Sequence, residues 1–483
     1  MQPLYKSCYP LDHRCYDDYN LTEDILMEHA AMGMAEYIKE HFPQNSSVLI
    51  VCGVGNNGAD GIVLARLLQG AYRVKLCLPF GVRSVMAEVQ LERVQFLDVA
   101  FIDELEEADI IVDAILGAGL SRELDEKTRK LIVEMEAFNG FKIACDVPTG
   151  IDLDGNPLPM AFFANVTLTM GALKESLFTD MAKEYVGEVI CVDLGLSHEK
   201  YTQGFETDIH LLEQSDMRLP SRWRANTHKG SFGHLAVVAG EKEGAGIMAA
   251  LSALRFGVGL VTVIGELMTP LPLELMNDMD LPHNTTAIAL GMGVHDFEME
   301  VVEEVLASDL PVVLDAGIFS QEIILEFLEQ KDREIVLTPH PKEFVALWNM
   351  TIDTPLNIAI LQANRFDKVR EFCDLFPQVT LLLKGANMIV AQHDQLFVNP
   401  HGSAKLSKGG SGDVLSGLIA SLLAQGVSAL EAGIQGSLAL TAGATAYEGG
   451  SYAMLPTDLI AEIANLESST QKRSPICPNT IPQ

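Results

Sequence analysis

Positive charge is scarce in this sequence. Its 483 residues include 33 Lys and Arg against 66 Asp and Glu, which gives a formal net charge of −33 at pH 7. A chain with this excess of negative charge repels nucleic-acid backbones and anionic membrane surfaces. Neither is therefore expected as a partner, and we interpret the charge as favouring solubility.

Cysteines at metal-ligand spacings are missing as well. The eight cysteines are scattered, and no two of them form a CxxC pair. The sequence therefore predicts no cysteine-bound metal. Cys52, Cys77, Cys145 and Cys191 lie in apolar, strand-like runs. We interpret them as reduced core residues of a cytoplasmic protein.

Long hydrophobic runs are also lacking. Residues 1–6 have no apolar segment of the kind that a signal peptide needs, so none is expected. The longest apolar stretch, 246–265, is interrupted by Arg255 and diluted by glycines. It predicts a buried helix followed by a strand over Leu260–Ile264, and not a membrane span.

Short apolar runs alternate with helical patterns along the whole chain, and nearly half of the residues are hydrophobic. The length predicts two or three domains, each with a full core. Continuous apolar strands separated by helices indicate parallel α/β sheets. The runs span residues 48–52, 74–78, 110–112, 143–145, 189–192, 235–239, 287–290, 312–314, 335–337 and 380–383.

The alternation of strands and helices lapses between residues 201 and 227, where the sequence is polar and mixed in charge. We therefore place a domain boundary there and expect domains at 1–210 and 211–468, followed by a flexible tail at 469–483. The first helix is expected to begin after Thr22, a suitable N-cap residue followed by Glu23 and Asp24.

A glycine-rich segment, 53–61, joins the run 48–52 to a helix predicted at 62–68. This order is typical of the phosphate site of a doubly wound sheet. Asn56, Asn57 and Asp60 add side-chain oxygens, which suit a hard cation. Asp113 and Asp146 follow two further strands, and the carboxyl ends of parallel strands share one edge. We expect the three segments to converge there, the alternative being three ordinary polar loops.

These motifs, in this order, resemble the NAD(P)H-hydrate epimerase family, which interconverts the C6 epimers of hydrated nicotinamide cofactors. The resemblance implies a Rossmann-like domain with a potassium ion at Asn57, Asp113 and Thr149. It also implies that Asp146 is a polar contact of the substrate and the candidate acid/base. Further substrate contacts would be Asn56, Asn57, Gly58, Ala59, Asp60, Gly117, Ala118, Gly119, Leu120, Ser121, Arg122 and Glu123. Ala59 replaces a glycine that is usual in the family, which the loop tolerates unless φ there is positive.

A second glycine-rich motif, Lys-Gly-Gly-Ser-Gly-Asp at 408–413, precedes an apolar run at 414–420 that predicts a helix. Bare N–H groups and the helix dipole suit a phosphate at such a turn. Asp413 would repel a phosphate, so it is interpreted as a base that takes a proton from an attacking hydroxyl. The motif thus indicates phosphoryl transfer to an alcohol, the alternative being a solvated Gly/Ser loop.

Two further positions support a nucleotide-dependent reaction. Lys384 ends a predicted strand just before Gly385, where its ammonium can reach a phosphate or a ribose. His340 lies between two prolines and cannot occupy the middle of a helix. A lone histidine is more often structural, but beside Lys384 and the glycine motif we expect a functional one.

The second half resembles the ADP- or ATP-dependent NAD(P)H-hydrate dehydratase family, whose domain is a ribokinase-like α/β/α sandwich. The whole chain then resembles the fused bacterial repair enzyme. The expected substrates are NADHX, NADPHX and an adenine nucleotide, with Mg²⁺ bridging the phosphates, and a homo-oligomer is expected. The substrate contacts implied are Ala245, Gly293, His340 and Asp413. The nucleotide contacts implied are Lys384, Gly385, Ala386, Asn387, Met388, Gly410, Ser411 and Gly412.

Three segments depart from the dehydratase pattern: 291–295, 315–317, where Gly317 replaces an expected aspartate, and 403–406. They leave the preference between ADP and ATP open. A second interpretation is a ribokinase-type kinase of a vitamin precursor or sugar, fused to a non-catalytic binding module. It would release a stable phosphorylated product, whereas the repair reaction would not.

Overall fold

Two compact units make up the chain in the computed structural model, which describes residues 1–294 and 299–466. One unit is Pro3–Thr207, and the other is Asp208–Gln483 together with Met1–Gln2. The expected tail at 469–483 lies outside the described residues.

The first unit alternates strands and helices. Its helices are α1 (Tyr9–Tyr19), α2 (Glu23–His41), α3 (Asn56–Leu68), α4 (Val85–Val94), α5 (Glu126–Ala137), α6 (Lys183–Val186) and α7 (His198–Thr202). After β1 (Gln2–Pro3), its strands are β2 (Ser47–Cys52), β3 (Arg73–Cys77), β4 (Ala100–Ile102), β5 (Ile110–Ala114), β6 (Phe141–Cys145), β7 (Val166–Met170) and β8 (Glu188–Val192). A 3₁₀ turn spans Glu175–Phe178.

The first unit has a parallel sheet in the order β4-β3-β2-β5-β6-β7-β8. The chain leaves β2 for β3 on one side and continues from β5 on the other, so the order reverses between β2 and β5. Ligands of doubly wound sheets bind in the crevice at such a switch point. Asp113, near the end of β5, pairs with Val51 of β2 and Ala144 of β6. The predicted doubly wound sheet is confirmed.

The second unit is larger and also alternates strands and helices. Its helices are α8 (Glu243–Arg255), α9 (Met299–Ala307), α10 (Ile324–Leu328), α11 (Pro341–Thr351), α12 (Ile358–Ala363), α13 (Arg365–Leu375), α14 (Ser411–Ala424), α15 (Ala429–Ala446) and α16 (Pro456–Ala464). Its strands are β9 (Ile209–Leu211), β10 (His234–Val238), β11 (Leu260–Ile264), β12 (Met276–Asp278), β13 (Ala287–Leu290), β14 (Val312–Leu314), β15 (Ile335–Leu337), β16 (Val379–Leu383), β17 (Met388–Gln392) and β18 (Gln395–Asn399). Short 3₁₀ turns span Gln214–Asp216, Lys229–Phe232, Ala316–Ser320 and Ala404–Leu406.

These strands form one sheet together with β1, whose Gln2 belongs to this unit. The order is β1-β9-β18-β17-β16-β15-β14-β13-β10-β11-β12. The pairs from β12 to β16 are parallel, whereas β16, β17 and β18 pair antiparallel. Helices α8 and α14 pack closely at Gly417, which has no side chain to keep them apart. A Cβ atom there would lie 2.1 Å from the Ala249 carbonyl oxygen. The second unit is therefore an α/β fold built on a mostly parallel sheet.

Three expectations from the sequence need correction. The first helix is not the one after Thr22, since α1 precedes it. Helix α3 begins at Asn56, not at residue 62, so residues 56–60 lie in its first turns and not in a loop. A Cβ atom on Gly58 would lie 2.0 Å from the Gly53 carbonyl oxygen, so this glycine permits close backbone packing. The second sheet is mixed and not wholly parallel, since β17 and β18, which the sequence did not predict as strands, pair antiparallel.

The apolar stretch at 246–265 forms part of α8 and then β11, as predicted. Within residues 1–294 and 299–466, no helix is long and apolar enough to cross a membrane. Cys52, Cys77 and Cys145 are buried, and Cys191 is partly buried.

Candidate active sites

A buried carboxylate lies at the switch point of the first unit. Asp113 accepts hydrogen bonds from the Thr149 amide (2.7 Å, to Oδ2) and the Thr149 hydroxyl (2.7 Å, to Oδ1). Burial raises the pKa of Asp113 to about 6, although the hydrogen bonds from Thr149 oppose this shift. The Leu116 amide in turn donates to Thr149 Oγ1 (2.9 Å). The loops after β5 and β6 are therefore joined by Asp113 and Thr149.

Asn57, in the first turn of α3, approaches the same loops. A Cβ atom on Gly117 would lie 3.2 Å from both Asn57 Oδ1 and Asp146 Oδ2. The amide nitrogen of Asn57 is buried and has no hydrogen-bond partner among the described residues. The segments after β2, β5 and β6 thus meet around Gly117.

Asp146 follows β6 directly and has a positive φ of 68°. This left-handed conformation is uncommon for a residue with a side chain, and such residues are frequent at functional sites. Its Oδ1 accepts from the Met170 amide (3.1 Å), and its Oδ2 lies 3.4 Å from the Ala118 amide. The carboxylate is therefore held between the end of β7 and the loop after β5.

Lys174 completes this arrangement. Its side chain is only 3% exposed, and its ammonium donates to Asp146 Oδ1 (2.6 Å), Thr169 Oγ1 (2.9 Å) and the Met170 carbonyl (3.1 Å). The carboxylate of Asp146 raises the pKa of Lys174 despite the opposing effect of burial. Asp146 and Lys174 form an ion pair at the base of the cleft.

Asp60, on the second turn of α3, lines a small pocket of ≈ 110 Å³ together with Asn56, Asp12, Glu23 and other side chains. Burial, and then the nearby carboxylates of Asp146, Asp12 and Glu23, raise the pKa of Asp60 well above its ordinary value. The charge of Asp146 is therefore close enough to Asp60 to act on its pKa.

The structure places the other residues of this predicted site unevenly. Gly58 and Ala59 are buried inside α3, where Ala59 keeps ordinary helical geometry. Leu120 is buried, whereas Ser121, Arg122 and Glu123 are exposed. Within segment 117–123, which the structure describes in full, the hydrogen bond to Asp146 comes from the Ala118 amide.

The glycine motif of the second unit opens α14 as expected. Gly410 is its N-cap residue with φ 100°, and Asp413 lies in the first turn. The Ser411 hydroxyl donates to the Leu406 and Lys408 carbonyls (2.7 and 2.9 Å), which fixes the turn. Burial and the nearby charge of Asp315 raise the pKa of Asp413 to about 6, against the opposing charge of Lys384.

Lys384 follows β16 and reaches this turn. Its ammonium lies 2.7 Å from Asp315 Oδ1, and a Cβ atom on Gly412 would lie 3.3 Å from it. Asp315, at the end of β14, is 2% exposed and also accepts a hydrogen bond from the Ser416 hydroxyl (2.6 Å). Asp315 therefore fixes Lys384 relative to the start of α14.

His340 has a structural role that can be seen directly. It is the N-cap residue of α11, and its Nδ1 accepts hydrogen bonds from the amides of Lys342 and Glu343. Its Nε2 lies 3.2 Å from Glu343 Oε1, and the side chain is 48% exposed. Burial raises the pKa of Glu343, whose charge interacts with Lys384 and Asp315. Both ring nitrogens of His340 are therefore engaged by the first turn of α11, although the side chain is half exposed.

The predicted nucleotide segment, 384–388, comprises the tight turn 384–387 between β16 and β17 and the first residue of β17. Arg365 is buried, and its guanidinium donates to the carbonyls of Lys384 (3.3 Å) and Asn387 (3.2 Å). A Cβ atom on Gly402 would lie 2.2 Å from the Ala386 carbonyl oxygen. The conformation of this turn is therefore fixed from both sides.

Ala245 and Gly293 are brought together. A Cβ atom on Gly293, where φ is 72°, would lie 2.9 Å from Ala245 Cβ. Beside them, at the carboxyl ends of β10 and β11, is a cavity of ≈ 650 Å³ lined in part by Gly240, Glu266 and Val294. This volume is in the range of ligand pockets.

The atypical segments have specific packing. A Cβ atom on Gly317 would lie 2.0 Å from the Val294 carbonyl oxygen, so the turn at 291–294 occupies the space that an aspartate at 317 would need. The end of the first segment, His295, lies outside the described residues. Lys405 and Lys408 donate to the backbone carbonyls of Tyr447 and Tyr452.

Sequence reasoning missed Lys174, Glu343 and Arg365 as parts of these sites, and it named Asp315 without giving it a role. A lysine inside an otherwise apolar run was the available signal for Lys174. Arg365 gave none, because a helical arginine is usually exposed.

In comparisons with known proteins, two family models match separate parts of the chain. Residues 23–176 match a family described as YjeF-related protein N-terminus, and residues 235–465 match the NAD(P)H-hydrate dehydratase family. The chain is 38% identical to the bifunctional NAD(P)H-hydrate repair enzyme of Helicobacter pylori, over 96% of this chain and 100% of that one. It is 34% identical to the enzyme of the same description from Coxiella burnetii, over 92% of this chain and 94% of that one.

A solved ADP/ATP-dependent NAD(P)H-hydrate dehydratase from Bacillus subtilis is also similar. It shares 29% identity with this chain, covers 51% of this chain and 93% of its own, and has a TM-score of 0.45.

Two α/β units, each with a polar site at the carboxyl ends of parallel strands, define a two-domain enzyme. The chain belongs to the bifunctional NAD(P)H-hydrate repair enzyme family. It combines an NAD(P)H-hydrate epimerase with an NAD(P)H-hydrate dehydratase, which favours repair over the vitamin-precursor kinase.

Proposed function

We propose that the epimerase reaction takes place over β2, β5 and β6, with Asp146 and Asp60 as its acid/base groups. The substrate carries a hydroxyl on C6, beside the ring nitrogen. Epimerisation requires the C6–O bond to break and to form again on the opposite face. The nitrogen lone pair expels the hydroxyl, which accepts a proton and leaves as water. A second water adds to the other face and gives up a proton.

The two carboxyl groups suit these two transfers. Burial raises the pKa of Asp60 well above its ordinary value, which favours the protonated form that can supply the proton to the leaving hydroxyl. Asp146 is paired with Lys174 (2.6 Å) and accepts the proton of the incoming water, after which solvent restores both groups. Two carboxyl groups in different environments, one buried and one paired with an ammonium, can divide acid and base roles in this way. Residues 56–60 and 117–123 would surround the substrate.

We also propose a potassium ion at Asn57, Asp113 and Thr149. Amide, carboxylate and hydroxyl oxygens are ligands for hard cations, and these three residues meet near Gly117. The Asn57 oxygen that could bind the ion is Oδ1, which would lie 3.2 Å from a Cβ atom on Gly117. The ion would fix the loops after β5 and β6. Epimerisation should therefore be faster in potassium than in tetramethylammonium salts, and Asn57→Ala should remove the difference. Equal rates for wild type in both salts would contradict the site.

In the second unit, we propose that the C6 hydroxyl attacks the terminal phosphorus of ADP or ATP. Asp413 accepts the hydroxyl proton, and the amides of 410–412 stabilise the charge on the transferred phosphoryl group. ADP leaves as AMP. The C6–O bond then breaks, phosphate departs, and loss of a proton from C5 restores the ring double bond. The observation that supports this most directly is Asp413 in the first turn of α14, beside Lys384.

Lys384 and residues 385–388 would bind the nucleotide, and Ala245, Gly293 and His340 the hydrated cofactor. Asp315, Glu343 and Asp413 surround the Lys384 ammonium closely enough for their charges to interact. Their oxygens fit Mg²⁺, which would neutralise phosphate charge when bound.

We propose further that the protein works in the cytoplasm as a homo-oligomer without nucleic acid. Cell fractionation can test the location, and light scattering can test the oligomeric state.

The test of the second site supplies S-NADHX with ADP or ATP. NADH is detected by its absorbance. The released nucleotide (AMP or ADP), phosphate and any phosphorylated intermediate are detected by mass spectrometry. Gly412→Ala should raise KM for the nucleotide, because its methyl group would lie 3.3 Å from the Lys384 ammonium. Gly409→Ala is the matched control, since its Cβ would meet nothing within 4 Å. Accumulation of a stable phosphorylated product without NADH would contradict the dehydratase reaction.

A further inference from the structure

Lys174 is fully engaged at the base of the epimerase cleft. Its ammonium has three N–H groups, and three oxygens lie within 2.6–3.1 Å: Asp146 Oδ1, Thr169 Oγ1 and the Met170 carbonyl. With the side chain 3% exposed, no donor is left for a substrate. Any effect of Lys174 on the reaction must therefore pass through Asp146.

The two oxygens of Asp146 are placed differently. Oδ1 receives the Lys174 ammonium and the Met170 amide (3.1 Å). Among the described residues, the one hydrogen bond to Oδ2 is the long contact of 3.4 Å from the Ala118 amide. Oδ2 also lies 3.2 Å from where a Cβ atom on Gly117 would be. Lys174 therefore binds one oxygen and leaves the other directed towards the loop at 117–118.

We propose that Lys174 is a positioning residue of the epimerase, which fixes Asp146 so that Oδ2 faces the C6 hydroxyl. The inference rests on the role proposed for Asp146. Without a fixed partner, the Asp146 carboxylate could exchange its two oxygens by turning about the last side-chain bond, since that rotation is soft. The ammonium removes this freedom, and pre-ordered geometry of this kind raises a rate constant more than it changes substrate affinity.

The experiment compares Lys174→Met, Lys174→Arg, Asp146→Asn and the double variant Asp146→Asn/Lys174→Met in the full-length chain. Epimer exchange between R- and S-NADHX is followed by NMR. Dehydration of S-NADHX by the same chain is the internal control. Lys142→Met is the matched control, because the Lys142 ammonium donates to the Phe138 carbonyl (2.9 Å) and lies at the start of β6, away from Asp146.

We expect Lys174→Met to lower the epimerase kcat by about 10- to 100-fold with little change in KM. Lys174→Arg should recover part of this loss, because it keeps the charge and the donors. Lys142→Met and the dehydratase rate should be unchanged. In the Asp146→Asn background, Lys174→Met should cost nothing further, since a residue that acts through another shows no additive effect.

Additive losses in the double variant would overturn the proposal, and so would an arginine variant no faster than methionine. If Lys174→Met proves too unstable to assay, the double variant against Asp146→Asn still decides, because it removes both charges of the pair. Wild-type exchange by Asp146→Asn would refute the proposed role of Asp146 instead. A slow Asp146→Asn beside a fast Lys174→Met would refute the role of Lys174 alone.

Discussion

The pH dependence of dehydration tests the assignment of Asp413 as the base. An ordinary aspartate is ionised throughout the range above pH 5, but burial and the charge of Asp315 raise the pKa of Asp413 to about 6. Since the ionised form accepts the proton, kcat/KM should fall as the pH falls through this value. At pH 5 only about one tenth of the enzyme would carry the active base, so the rate should drop roughly tenfold from its plateau.

Two substitutions should move this acidic limb in opposite directions. Asp315→Asn removes a negative charge that raises the pKa of Asp413, so the limb should move to lower pH. Lys384→Met removes a positive charge that lowers this pKa, so the limb should move to higher pH. Because Lys384 also contacts the proposed nucleotide site, its variant needs saturating nucleotide.

The assay is initial-rate formation of NADH from limiting S-NADHX, with saturating ADP or ATP, in buffers of constant ionic strength. Asp413→Asn gives the rate of non-enzymatic decay of the substrate at each pH. A wild-type profile that stays flat to about pH 4.5 would show that the base is an unperturbed carboxylate. Limbs that move in the same direction in both variants would contradict the charge arrangement around Asp413.

Two glycine substitutions probe the packing of each unit. Gly117→Ala should slow epimerisation strongly and leave dehydration intact, because its methyl group would lie 3.2 Å from Asp146 Oδ2. Gly119→Ala should slow epimerisation much less, because its Cβ would meet nothing within 4 Å. Equal losses of epimerase rate in the two variants would contradict this geometry. Gly417→Ala should destabilise the second unit by about 1–3 kcal/mol through overpacking, because its Cβ would lie 2.1 Å from the Ala249 carbonyl oxygen. Calorimetry should show a lower Tm for the second unit only.

The sequence was sufficient for features that depend on local pattern. Continuous apolar runs located most parallel strands, and the glycine motif at 409–413 located the start of α14. It was less reliable at 56–60, where asparagines and glycines suggested a loop. There the glycines allow α3 to pack against the backbone of residue 53, and helix formation continues through residues that are ordinarily poor helix formers. This is a tertiary effect that no local pattern encodes.

The same limit applies to the buried ion pairs. Lys174 meets Asp146 across 28 residues, and Lys384 meets Asp315 across 69. Each lysine would be an exposed residue by ordinary preference, and only the order of the strands brings it to a carboxylate at a strand end. Each pair has one buried member, Lys174 or Asp315, and one partly buried member, and a buried charge is costly unless its partner is fixed. The fold therefore maintains them at a cost to stability, which is expected where precise placement of a carboxylate or an ammonium serves the reaction. On this argument, neutralising either pair by a matched double substitution should preserve the fold better than it preserves activity.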